Sequence, residues 1–189
     1  MLDFNLTPIF IFLIIFISMV TILRVKRNKS FVYLMFWTVF YVYLVNVFKY
    51  TQFPMFIVDY PFGESVEPFN FELVNPFGYD LRTTLLNILM FVPFGFGLSF
   101  IAKTSWVRIL ITSLVFTLII ETLQLMQHLL FAGSDRIFDI NDIIYNTLGG
   151  LLGYFLFKMF ARLFNKFFKS KENPNTILGY ISGLANHKS

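Results

Sequence analysis

Residues 107–127 read VRILITSLVFTLIIETLQLMQ. At 1.5 Å of rise per residue this run, as a helix, covers about 30 Å, the thickness of a bilayer's hydrocarbon core. Its only ionisable residues are Arg108, next to one end, and Glu121. The apolar residues form a continuous run, without the alternation of a half-buried strand or the narrow stripe of a soluble amphipathic helix. In lipid the backbone has no water to bond with, so such a run is a helix by default. The stretch predicts a membrane span.

Four more runs have the same texture: Leu6–Leu23, Phe31–Phe48, Thr83–Ala102 and Asn141–Ala161. Of 189 residues, 57% are apolar, 27 are Phe and 14% are charged. A soluble domain of this length has too little interior for that much apolar surface. The expected fold is therefore all-α, a polytopic membrane bundle of about five helices. Residues 1–74 hold two N-terminal helices and most of an aromatic, acidic loop. Residues 75–161 hold a three-helix core, and 162–189 a basic tail. Asp3 precedes the first run and Arg24 to Lys29 follow it, so that run reads as a retained span, not a cleaved signal.

Between the second and third runs, residues 49–82 carry Pro54, Pro61, Pro68 and Pro76 with Asp59, Glu64, Glu67, Glu72 and Asp80. That proline spacing forbids a spanning helix. The interleaved aromatics predict a loop lying on the bilayer surface. Positive loops stay cytoplasmic. With five spans and the N-terminus outside, 12 of the 15 basic residues fall inside, and only Lys49, Arg82 and Arg136 fall outside. Most acids fall outside. The predicted orientation is N-terminus out, C-terminus in, as a multi-pass protein of the cell membrane.

This charge map also accounts for the net charge of +4 without a nucleic-acid partner. The absence of Cys excludes disulfides, Cys-ligated zinc and a thiolate nucleophile, and two His are too few for a His-rich metal site. No cofactor is implied. Phe160, Leu163, Phe164, Phe167 and Phe168 interleave with Arg162, Lys166 and Lys169, as expected of an end that anchors to anionic headgroups.

Polar residues gather at one depth. Glu121 lies about 9–10 Å below the predicted outer surface, with Gln124 above it and His128 at the lip. These three share a helix face, as do Asp139, Asp142 and Asn146 in the fifth run. Asn87 enters from the third, and Arg136 from the loop. An ionisable residue inside a span is costly and faces a bundle interior or a wet cavity. The expectation is an outward polar pocket lined by Asn87, Glu121, Gln124, His128, Arg136, Asp139, Asp142 and Asn146. Interhelical hydrogen bonding is the alternative for Asn87, Gln124 and Asn146. Beneath it, Gly149 and Gly153, with Gly150, allow close helix approach, and Pro93, Gly95 and Gly97 predict a kink.

In order, N-x3-F-x-P-x-G (Asn87 to Gly95), E-x2-Q (Glu121 to Gln124) and R-x2-D-x2-D-x3-N-x2-G (Arg136 to Gly149) resemble the VanZ-like membrane proteins, as does Asn75-Pro76-Phe77. The resemblance covers about Asn75 to Tyr154. It implies an association with resistance to teicoplanin and related lipoglycopeptides in Gram-positive bacteria, and supplies no mechanism.

Three functions compete. A non-enzymatic envelope protein would bind a membrane lipid headgroup or lipid-linked wall precursor, with Arg136 on phosphate and carboxylates on amine or hydroxyl groups. An enzyme acting on such a molecule would use Glu121 or Asp142 as general base. It would otherwise hold one divalent cation on Asp139, Asp142 and Glu121. A transporter needs polar residues in the inner half, and a homo-oligomer would be one way to complete its path.

Overall fold

The computed structural model describes residues 3–54, 67–73, 81–130, 136–168 and 176–186. Among them are six helices, five of them long and apolar enough to cross a membrane. They are α1 (Leu6–Thr21, extended by a π turn Ile22–Lys26), α2 (Phe31–Gln52), α3 (Leu81–Ile101), α4 (Trp106–Leu130) and α5 (Ile140–Phe167). The sixth, α6 (Ile177–Asn186), is short. The chain is an all-α multi-pass membrane protein.

Most helices begin where a short polar side chain satisfies a first-turn N–H. Asn5 accepts from Thr7, Ser30 from Tyr33, Ser105 from Arg108 and Thr176 from Gly179. Asp139 caps α5 by accepting the Asn141 N–H at 2.7 Å. Between α1 and α2, Asn28 takes a φ of 50°, a left-handed conformation that Asn tolerates better than most residues.

The core is the parallel pair α3–α5, with α4 laid along α5. It is built on backbone contact. A Cβ at Gly149 would lie 2.3 Å from the Ile88 carbonyl oxygen, and one at Gly153 would lie 2.0 Å from that of Val92. At Gly95 it would fall 1.8 Å from the Gly150 carbonyl oxygen. Lipid tails are as apolar as leucine, so close backbone approach and dispersion, not hydrophobic exclusion, hold such helices together. Pro93 lies within α3, and nearby the Tyr43 hydroxyl donates to the Met90 carbonyl at 2.7 Å. A hydroxyl from a neighbouring helix thus reaches the stretch where proline disturbs the ladder.

Three features differ from the sequence expectation. α2 runs four residues past Phe48, because Thr51 and Gln52 find partners inside the bundle. The segment after it is not wholly irregular: Phe69–Asn70 (β1) pairs in parallel with Phe138–Asp139 (β2). Residues 55–66 and 74–80, with Asn75, Pro76 and Phe77, lie outside the described residues, as do residues 131–135. Finally, α5 continues to Phe167, and α6 packs back on the bundle. Its Tyr180 hydroxyl donates to the Phe100 carbonyl at 2.6 Å, its ring stacks on Phe36, and Ile181 joins Phe100, Phe157 and Ala161 in one core cluster.

Candidate functional site

The ends of α2 and α4 and the starts of α3 and α5 meet at one end of the bundle, and the β1–β2 pair roofs it. Asp139 begins α5 from β2. Its two carboxylate oxygens have different tasks. Oδ1 accepts from the Asn141 backbone and side chain (2.7 and 2.8 Å), and Oδ2 accepts from Asn70 Nδ2 at 2.9 Å. Asn141 Nδ2 in turn donates to the Glu72 carbonyl at 2.7 Å. Segment 67–73 is thereby tied to the start of α5. Its aromatics close the roof: Phe69 and Phe71 lie about each other and Phe138 with ring centroids 5.8–6.2 Å apart.

Under this roof sits Glu121, 1% exposed. Its Oε2 accepts the backbone N–H of Asp139 at 2.9 Å. A buried carboxylate demands donors, and the chain meets that demand by bending β2 over the end of α4. Glu121 therefore positions the strand and the N-terminus of α5. One turn below, Asn146, also 1% exposed, donates to Thr117 Oγ1 at 2.9 Å, and its own Oδ1 has no partner among the described residues. A further turn down, Ser113 Oγ fills the space that a side chain at Gly150 would need. Glu121, Thr117 and Ser113 are spaced i, i−4, i−8, so one face of α4 is polar well below the lip.

The eight residues expected to line a pocket fall into two layers. Glu121, Gln124 and Asn146 are buried. Asn87, His128, Arg136, Asp139 and Asp142 are half-buried and lie nearer the surface. Asn87 Nδ2 donates to Asp142 Oδ1, joining α3 to α5. His128 and Arg136 are both engaged by neighbours. Gln124 points elsewhere, donating to the Thr51 carbonyl at 3.1 Å. It belongs to a second cluster, in which Gln127 Nε2 donates to Gln52 Oε1 at 2.6 Å. Arg82 lies exposed in the first turn of α3.

Sequence reasoning missed Thr51, Gln52, Thr117, Ser113, Gln127, Asn70 and Asn141. Thr117, Ser113 and Gln127 carried a signal, since each falls within the polar face of α4. Asn70 carried none: nothing in a proline-rich loop says which distant residue it will pair with.

Chemically, the buried layer is hydrogen-bonded scaffold, and in the half-exposed layer the Asn87 amide and the Asp142 carboxylate are joined directly. Asp142, held by Asn87, is the carboxylate an acid–base reaction would use. Among the described residues no group of three or more His, Asp or Glu is arranged to hold a metal ion, and the Asp139 oxygens are engaged in capping and roofing.

No curated protein and no solved structure matches the chain. A family model does, the one described as VanZ/LLP1, over residues 6–162. The match extends beyond the motif region to include α1 and α2, and on that span the chain belongs to the VanZ/LLP1 family.

Proposed function

We propose that this protein sits in the bacterial cell membrane with its carboxylate–amide end outward. There it binds the headgroup of a lipid or lipid-linked wall precursor, and so alters susceptibility to teicoplanin-type lipoglycopeptides. The supporting observation is the layered site. Asn87, Asp142, Arg136 and His128 stand half-exposed at one end of the bundle, and a buried Glu121 fixes the Asp139 backbone at the start of the helix that carries Asp142. Guanidinium beside carboxylate suits a headgroup with both phosphate and amine or hydroxyl groups. The orientation rests on the inward excess of Lys and Arg.

The test is native mass spectrometry of detergent-purified wild type, Asp142→Asn and Asn87→Leu, with teicoplanin susceptibility of a Gram-positive host expressing each. The expected result is a lipid carried by wild type and depleted in both variants, with loss of any protection in parallel. Bound lipid unchanged in variants that fold normally would overturn the binding site. Lipid depleted with susceptibility unmoved would overturn the link to the antibiotic.

A further inference from the structure

At the opposite end of the bundle, α3 passes to α4 through residues 102–105. A cavity of about 290 Å³ opens there. Lys103, Thr104, Arg108 and Thr112 line its polar side, and Leu98 and Ile111 its apolar wall. Residues 91–120 contain no Asp or Glu, so neither helix supplies a carboxylate to neutralise the two cations. Arg108 Nη1 donates to the Lys103 carbonyl at 3.0 Å, which fixes the guanidinium beside Lys103 and leaves it further N–H groups. The positive end of α4, capped by Ser105, adds to the same field.

The hydroxyls are already oriented. Thr104 Oγ1 donates to Ser99 Oγ at 3.1 Å, and Thr112 Oγ1 donates to the Arg108 carbonyl at 2.7 Å. Each keeps acceptor capacity, which suits a headgroup that itself bears hydroxyls. Trp106, the first residue of α4, is 58% exposed, as interfacial aromatics are at headgroup level. Ile111 is 54% exposed, so the apolar wall continues onto the lipid-facing surface of α4.

We propose that this cleft seats one anionic phospholipid of the adjacent leaflet. Lys103 and Arg108 hold its phosphodiester, and the start of an acyl chain lies against Leu98 and Ile111. The volume suits a headgroup and not a whole lipid. A free phosphate would satisfy the cations but leave the apolar wall unused. This site is separate from the Glu121 end, and neither reading depends on the other.

The experiment is lipid titration of the full chain by native mass spectrometry, phosphatidylglycerol against phosphatidylcholine. The variants are Lys103→Gln with Arg108→Gln, Ile111→Trp, and a control pair of equal charge loss, Lys26→Gln with Arg27→Gln. Wild type and the control pair are expected to hold phosphatidylglycerol about tenfold or more tightly over phosphatidylcholine. The Lys103/Arg108 pair is expected to lose that preference. Ile111→Trp keeps both cations but crowds the wall, so it should weaken phosphatidylglycerol too, and it carries the test if the double variant does not fold. Equal loss in the control pair would reduce the effect to general surface charge. Displacement by inorganic phosphate would make it a free-anion site, and no preference in wild type would end the proposal.

Discussion

Helices α1 and α5 are both apolar and long enough to cross a membrane, yet they meet the rest of the protein in opposite ways. α1 has no buried residue, and touches the bundle through ring contacts such as Phe16 with Trp37 and one bond from Tyr41 to the Phe12 carbonyl. α5 is the less apolar and the better packed, with Asn141, Asn146, Gly149, Gly150 and Gly153 among its buried residues. The contrast shows that apolarity earns a helix its place in lipid but not a partner there. Small residues that admit a neighbour's backbone, and polar groups that need one another, decide which helices pack.

Substitution on α5 should break the contrast most. Gly153→Ala puts a methyl against the Val92 carbonyl and the Phe96 amide. It should cost about 3 kcal/mol or more, since backbone cannot move aside as a side chain can. Thermal unfolding in detergent checks this. Survival at wild-type stability would mean that α3 and α5 are not in backbone contact.

Next is Glu121→Ala, which strips the Asp139 N–H of its acceptor beneath the roof and should cost about 2 kcal/mol. Glu121→Gln keeps an oxygen at the same reach and should cost clearly less. Equal losses would show that the charge, not the acceptor, matters. Asn87→Ala, which removes one interhelical bond to Asp142, should cost about 1 kcal/mol in the same assay.

Smaller effects are expected of α6. Burial, with a lesser push from Tyr33, raises the Tyr180 phenol from 10.0 to about 12. The folded state favours the neutral hydroxyl, so docking through the Phe100 carbonyl is fully supported below pH 10 and weakens as pH rises toward 12. The protection of α6 amides, taken relative to their intrinsic base-catalysed exchange, should fall over that window in wild type. In Tyr180→Phe protection should be lower at neutral pH, by a bond worth about 1 kcal/mol, and should not change further over that window. The other side of the comparison is Ile14→Ala. Ile14 is 64% exposed on α1, and its loss should stay within about 0.5 kcal/mol. A large loss would reveal a packing partner for that face.

The spans were legible because the solvent requirement is local: each run of about 20 apolar residues satisfies its own backbone. Glu121, Asp142 and Asn146 stood out for the same reason, as polar groups that are costly in lipid, and the glycines stood out by their small-xxx-small spacing. That Glu121 would be matched by the Asp139 amide, or Gln124 by the end of α2, was not legible. Helix periodicity gives a residue's face and depth, while the rotation of one helix against another is set by all contacts at once.

By itself, then, the sequence determined an all-α membrane protein, which helices carry its polar residues and, through ordered motifs, its kinship to a family. Only the tertiary structure decided which of those polar groups are buried scaffold and which reach the surface. It also decided that a loop strand roofs Glu121, that α6 folds back onto Phe100, and that Lys103 and Arg108 share a cleft. The physical reason is the same in each case. Solvent preference is a property of a segment, whereas a hydrogen bond or a cavity belongs to two segments that only folding brings together.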